Sequence, residues 1–502
     1  MPLFSVRSRN DWGIGEIGDL PMCAEWVKSA GHTLLQVLPV HDLGEGETSP
    51  YGARTAFGLD VIYLSFSRVP DFRETDLDEV QVGERERLRA LARTDYKGVR
   101  ALKEAALEKS FTRFFESEWA HRTERARGLI EFFESERAWL SGFTAYSAGL
   151  ALHGWNEPAW EAAESLRDGE WLKHTINDPR TRAALRIVYA QWHLFLQWDD
   201  AKRALEAMGV ELMGDLPFIV GKGSADVWAH PTDFDTSVSL GAPPDDFSAD
   251  GQDWGLPAYA WEAMDKNDLA WLRKRAAHAG RLYHRYRIDH VVGFFRMWLK
   301  KDGGPGAFTP TEEEDQQARG EKVMRALIES SGGARVIAED LGVIPDFVRR
   351  TLRALEIPGY KVIPWERNEP HVFRDPRGFD ACSVGTWSTH DTAPITAWWG
   401  AFAEWEKKPL AELAHISPDA EEPQRTFGLL RLLYECGSDL TLTLIQEMIG
   451  EDDRINTPGT VGVQNWTYRL PKPIEEMRRD PNVVQRFATI LQMVRETDRI
   501  PS

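Results

Sequence analysis

Four acidic positions stand out because each closes a β-like run beside a residue able to tune it. They are Asp215 in Met213-Gly214-Asp215, Asp289 in Arg287-Ile288-Asp289-His290, Glu339 in Ala338-Glu339-Asp340, and Asp391 in His390-Asp391. On a strand, residues i and i+2 share a face, so Arg287 and Asp289 point the same way. A guanidinium beside a carboxylate keeps it ionised. That makes Asp289 a candidate nucleophile, although a buried structural ion pair fits the same spacing. Two adjacent acids at a strand end cannot both be core. A Glu in a less polar site stays protonated and acts as a general acid, so Glu339 is the candidate and Asp340 the structural neighbour. His390 and Asp391 suit hydrogen bonds to substrate hydroxyls; helix capping by Asp391 is the alternative. Gly214 permits close backbone approach next to Asp215. A carboxylate nucleophile and a carboxylic acid on different strands are the groups that retaining glycoside chemistry uses.

The elements that must position these groups are eight β-like runs: Leu34–Val40, Asp60–Phe66, Val210–Pro217, Tyr286–Phe294, Arg335–Gly342, Tyr360–Glu366, Val384–Asp391 and Leu440–Glu447. Several are continuous apolar runs, as expected of parallel strands covered on both faces. Helix-like segments such as Asp19–Ala30, Asp268–Tyr283 and Ile344–Ala354 separate most of them. Eight such units with acids at the strand ends predict an α/β fold, a (β/α)8 TIM barrel with its active site at that end; a doubly wound sheet is the competing reading. The stretch 71–200 is charged and helical in pattern and reads as a helical insertion between a first part of the barrel (1–70) and the rest (201–502). Residues 221–259, rich in Gly, Pro, Asp and Trp, read as an irregular insertion at the mouth, where long loops commonly carry substrate contacts. Gly303–Arg319 reads as a flexible surface loop.

Composition excludes several classes. The net charge of −19 argues against nucleic acid and anionic membrane as partners, because phosphate binding needs excess basic surface. Cys23, Cys382 and Cys436 have no zinc or CxxC spacing. The N-terminal MPLFSVRSRNDWG has no apolar signal-like core, and no uncharged run is long enough to span a membrane, so a cytoplasmic location is expected. The 20 tryptophans include more indole than a core requires, which suits stacking on sugar rings. Gly13-Ile-Gly15-Glu-Ile-Gly18 formally matches a dinucleotide fingerprint if LFSVRS is a strand and Asp42 the ribose-binding acid, but the pattern is short and weak, and a Gly-rich turn before a helix is the favoured reading.

Taken together, the motifs resemble those of the 4-α-glucanotransferases of glycoside hydrolase family 77, in the α-amylase clan. The matching segments run from DWGIGEIGDL through SPYGARTAF (Ser49–Phe57), GDLPFIV (Gly214–Val220), DVWAHP (Asp226–Pro231), APPDDFSADGQDWG (Ala242–Gly255), RIDH, AEDLG and STHD to NWTYRL (Asn465–Leu470). The resemblance implies a transferase that moves α-1,4-glucan segments to the 4-hydroxyl of an acceptor, with no cofactor and no metal. By the same resemblance Asp289 is the nucleophile, Glu339 the acid/base and Asp391 the third acid. Arg287, His390 and Asp215 match donor-site residues, and Tyr51 an aromatic stacked on sugar. Phe247, Gln252 and Trp254 match the loop over the acceptor side, and Asn465 a polar residue near the site. Maltooligosaccharides are the implied partners, with glycogen or starch as further donors. The sequence departs from common family forms at Gly52, Leu256, Thr392 and the GLDV segment at 58–61. An α-glucan hydrolase of the same clan, a catalytically silent glucan-binding protein and a nucleotide-dependent oxidoreductase are the alternatives.

Overall fold

The computed structural model describes residues 1–154, 164–174, 176, 178–244, 251–301, 304, 306–369 and 372–500. Its strands, in chain order, are β1 (Leu34–Gln36), β2 (Glu211–Leu216), β3 (Phe234–Ala242), β4 (Gln252–Tyr259), β5 (Arg285–Ile288), β6 (Met297–Lys300), β7 (Ala307–Thr309), β8 (Arg335–Ala338), β9 (Gly359–Val362), β10 (Arg367–Glu369), β11 (Val372–Phe373), β12 (Ser383–Thr386) and β13 (Leu440–Leu442). A parallel sheet joins β1, β2, β5, β8, β9, β12 and β13 in that order. Spatial order follows sequence order throughout. That is the pattern of a singly wound TIM barrel, whereas a doubly wound sheet reverses at a switch point. Met213, Ile337, Tyr360 and Val384, from four different strands, meet in a small apolar cluster inside the curl. A cavity of about 160 Å³ follows the seam between β13 and β1 and reaches Arg287 and His390.

Seven of the eight expected runs contain strands of this sheet. Asp60–Phe66 does not: it forms two 3-10 turns, Val61–Tyr63 and Phe66–Arg68. Asp60 caps the first turn by accepting from the Ile62 amide at 3.0 Å, and Arg100 pairs with its other oxygen at 2.6 Å. Side chains replace the missing ladder. Gln191 bonds both the amide and the carbonyl of Leu59, and Gln197 does the same for Ser65. An apolar run satisfied in this way looks like a strand by pattern alone.

Two further expectations are corrected. The 221–259 segment is largely an antiparallel ribbon rather than an irregular loop: β3 pairs with β4, and β6 and β7 extend the sheet in the order β4-β3-β6-β7. Its register shifts around Leu240, where bulges break the period-2 alternation that would have marked the strands. Gly303–Arg319 contains β7 and the start of the helix Glu313–Ser330. The glycine fingerprint has no strand before it, since Leu3–Ser5 is a 3-10 turn. Its glycines serve packing: a Cβ on Gly15 would sit 2.1 Å from the Leu3 carbonyl.

Between β1 and β2 the chain is helical, with helices over Glu79–Ala90, Tyr96–Phe114, Glu124–His153 and Pro179–Ala207. Thr123 and Asp178 cap the last two by accepting from Ala126 and Arg180 amides, and Pro179 occupies the first helical position. The helix Tyr96–Phe114 is tied to the N-terminal segment by Lys103. Its fully buried ammonium donates to Glu16 at 2.7 Å and to the Ile62 and Leu64 carbonyls. Burial pushes the Glu16 carboxyl up to about 7, against the pull of Lys103. Removing one partner of such a pair leaves an uncompensated buried group, so Lys103→Ala should cost roughly 3–5 kcal/mol. Urea denaturation measures this, and a loss below about 1 kcal/mol would contradict the reading.

Candidate active site

Strand alternation builds the site. Met213 and Asp215 on β2, Arg287 on β5 and Ile337 on β8 point into the barrel, and Asp215, Arg287 and Ile337 are aligned in register across the three strands. Two residues further on, Asp289 and Glu339 continue the inward face beyond the strand ends. Gly214 lies against the ring of Tyr283, where a Cβ would come within 2.3 Å.

Arg287 is the hub. It is buried and donates from Nε to Asp215 at 2.8 Å, and from Nη2 to Tyr51 OH at 2.8 Å and Asp289 at 2.6 Å. Tyr51, on the loop after β1, donates to Asp215 at 2.9 Å and lies 3.2 Å from His390 Nε2, with the two rings stacked at 5.5 Å. Burial raises the Asp215 carboxyl despite Arg287. Asp289 remains half-buried, its carboxylate open to the mouth.

Glu339 accepts from the backbone amides of His290 at 2.8 Å and Leu341 at 2.9 Å. Burial and then the charge of Asp289 push its carboxyl up to about 7, with Arg287 and the two amides opposing. Its neighbour Asp340 turns away and accepts from the Tyr360 amide. Asp391 sits against His390 at 3.1 Å and accepts from Asn456 Nδ2 at 2.7 Å. Burial works against ionisation there, but His390, Asn456 and Arg287 outweigh it and hold the carboxyl well below the usual carboxylate range. Asp391 does not cap a helix; the next one, Ile395–Ala401, begins after Pro394. The site therefore holds one acid, Glu339, pushed toward neutrality and able to give a proton, beside another, Asp391, held ionised.

In the ribbon, Trp254 lies on β4 and its ring meets His290 edge-on at 5.1 Å. Gln252 is exposed and accepts from the Trp254 indole at 3.0 Å. Phe247 lies outside the described residues. Asn465 is not among the groups that meet at the acids: its amide is spent on Thr457 and Thr460, closing the 457–465 loop. The residues that do reach the site from this segment are Asn456, Arg454, which donates to the Asp391 carbonyl at 2.8 Å, and Trp466, whose ring packs on Tyr51 and His390. Sequence reasoning passed over them because no strand end marks them. Among the described residues, no cluster of three or more His, Cys, Asp or Glu could hold a metal. No described helix is long and apolar enough to cross a membrane.

With this geometry in hand, comparison with known proteins is decisive. The family model for 4-alpha-glucanotransferase, glycoside hydrolase family 77, matches residues 1–475. The chain belongs to this family. It is 31% identical over 490 residues to the 4-alpha-glucanotransferase of Chlamydia pneumoniae, covering 95% of this chain and 91% of that protein. The Aquifex aeolicus 4-alpha-glucanotransferase is 29% identical over 472 residues, 91% and 92% of the two chains. The amylomaltase from Streptococcus agalactiae in complex with acarbose shares the fold with a TM-score of 0.82 at 23% identity, covering 100% of this chain and 99% of that one. The protein is thus a glycosyltransferase that moves α-1,4-glucan segments between maltooligosaccharides with retention of configuration.

Asn456 generates a test. Asn456→Ala removes the amide that holds Asp391, and kcat for transfer should fall roughly ten- to a hundredfold with the fold intact by circular dichroism, the size of one lost hydrogen bond to a charged group. Wild-type kcat in this variant would show that Asp391 does not need the contact.

Proposed function

We propose that Asp289 is the nucleophile and Glu339 the acid/base of this 4-alpha-glucanotransferase, with Asp391 stabilising the transition state. The observation that carries the assignment is the contrast between Asp289, paired with the Arg287 guanidinium at 2.6 Å, and Glu339, held by two backbone amides with its carboxyl pushed up toward neutrality. Asp289 attacks the anomeric carbon of the donor while Glu339 gives its proton to the leaving oxygen. The C–O bond to the reducing-end fragment breaks and an ester bond to Asp289 forms. Glu339, now a carboxylate, takes the proton from the 4-hydroxyl of the acceptor, whose oxygen displaces Asp289 and restores its carboxylate. Arg287 orients the Asp289 carboxylate for attack, Tyr51 and His390 hold the donor sugar, and Asp215, whose carboxylate is fully buried, positions Arg287 and Tyr51. Trp254 and Gln252 cover the acceptor side and favour a sugar hydroxyl over water. We read 71–200 as an insertion into the barrel, and glycogen or starch as polymeric donors beside maltooligosaccharides.

Incubation with maltotriose alone, without cofactor or added metal, should give glucose together with maltopentaose and longer chains. Glucose and maltose alone would mean hydrolysis and overturn the transfer reading of the ribbon. Asp289→Asn should abolish the reaction in a folded protein; near-normal transfer would refute the nucleophile.

A pH profile tests the acid. The first step needs Glu339 protonated, so kcat/KM should fall tenfold per pH unit above about 7 and hold below it. Glu339→Gln should erase that limb along with the activity on maltotriose. A profile flat through pH 8 would exclude Glu339 as the group that donates the proton.

A further inference from the structure

His290 is the residue of the RIDH motif without a role in the mechanism above, and its conformation is unusual. Its backbone is left-handed, with φ 47° and ψ 52°. Only a few per cent of non-glycine residues adopt that region, with Asn, Asp and His enriched and β-branched residues rarest. Its amide donates to Glu339 Oε2 at 2.8 Å. Its ring lies in an aromatic cleft between two elements. Phe218, just after β2, meets it at 5.6 Å and 74°, and Trp254 of the ribbon meets it at 5.1 Å and 80°.

The surroundings are built for this wedge. Gly293 makes room for it: a Cβ there would come within 2.6 Å of the Phe218 ring and 3.0 Å of the His290 ring. The Phe218 carbonyl is held by Arg275 Nη1 at 3.0 Å and Tyr259 OH, and Tyr259 is the last residue of β4, so the foot of the ribbon is anchored at the same point. Burial lowers the proton affinity of the His290 ring, and the nearby Asp289 only partly offsets it.

We propose that His290 is a positioning residue with two separable parts: its backbone amide holds the acid/base Glu339, and its ring is the platform on which Trp254 sets the acceptor side of the site. This rests on the roles given above to Glu339 and Trp254. The two parts predict different losses. Without the ring, Trp254 loses its platform, so acceptor capture weakens while proton delivery to the leaving group persists. Without the left-handed turn, Glu339 loses one of the two amides that orient its carboxyl; that loss by itself favours the protonated form, so the damage is to the line along which the proton is delivered, and donors that need protonation suffer most.

The experiment uses the full-length enzyme with His290→Gly, which keeps the left-handed backbone and removes the ring, and His290→Val, whose branched side chain disfavours that backbone. Each is assayed with maltotriose, with α-maltosyl fluoride, whose leaving group needs no proton, and with glucose as a varied acceptor. Thermal melts identify folded variants, and Trp254→Ala is measured alongside. For His290→Gly, the acceptor KM should rise about three- to tenfold and the share of hydrolysis should grow, as expected for one lost aromatic edge contact. For His290→Val, the maltotriose rate should fall at least about tenfold more than the fluoride rate. If Val fails to fold, His290→Ala takes its place: like Gly it lacks the ring, but its Cβ disfavours the left-handed backbone, so the same excess loss on maltotriose over the fluoride is expected relative to His290→Gly. An unchanged acceptor KM and product ratio in His290→Gly, with Trp254→Ala altering both, would overturn the platform while leaving the ribbon's role intact. If Trp254→Ala also changes neither, the assignment of the acceptor side has failed instead, and the platform with it. Equal losses on maltotriose and fluoride in a folded His290→Val would overturn the backbone role.

Discussion

The guanidinium of Arg287 is the constraint on which the site depends. It is buried with only 5% of its side chain exposed, beside the fully buried Asp215 carboxylate. A buried charge is tolerated only when its donors are satisfied. Arg287 spends Nε and Nη2 on the strand before it (Asp215), the loop after β1 (Tyr51) and the residue two positions on (Asp289). Three elements are thereby locked to one planar group, and His390 follows because it stacks on Tyr51. A lysine would supply the charge but not the fixed fork that fits three separate acceptors.

Much of this was legible in the sequence because it follows from period 2. Once RIDH is placed on a strand, Arg287 and Asp289 must share a face, and the same rule carries Ile337 to Glu339. Parallel order was legible from the continuous apolar runs. What misled was the assumption that an apolar run with strand-like residues makes a ladder. Asp60–Phe66 is buried and apolar, but Gln191 and Gln197, more than 120 residues away in sequence, supply the amides a neighbouring strand would have supplied. The ribbon β3-β4 was hidden for the opposite reason. Its glycines and bulges look like loop signals, and only the pairing with β6 reveals them as strand features.

The site residues divide in the same way. The acids at strand ends are marked by period 2; nothing periodic marks Arg454, Asn456 and Trp466. The resemblance directed attention to Asn465, yet its amide closes its own loop. Asn456, nine positions earlier, meets Asp391. The two asparagines are joined by one turn, since Asn465 accepts from the amide of Thr457, the residue after Asn456. One positions the other, and sequence alone does not say which of the two ends reaches the acid.

The departures from common family forms fit this division of labour. Gly52 leaves the space where a side chain would strike the Glu47 carboxylate, which instead accepts from the amides of Thr48 and Ser49 and shapes the Tyr51 loop. Thr392 accepts from the Thr389 amide at 2.8 Å and closes the turn that carries His390 and Asp391. Leu256 stands opposite Leu240 in the ribbon, an apolar pair across β3 and β4. Each substitution is absorbed within its own turn or strand pair. None touches Arg287 or the backbone amides on Glu339. Chemistry held by strand alternation and main-chain donors is insulated from the loops around it, so those loops are free to vary while the acids stay where the ladder puts them.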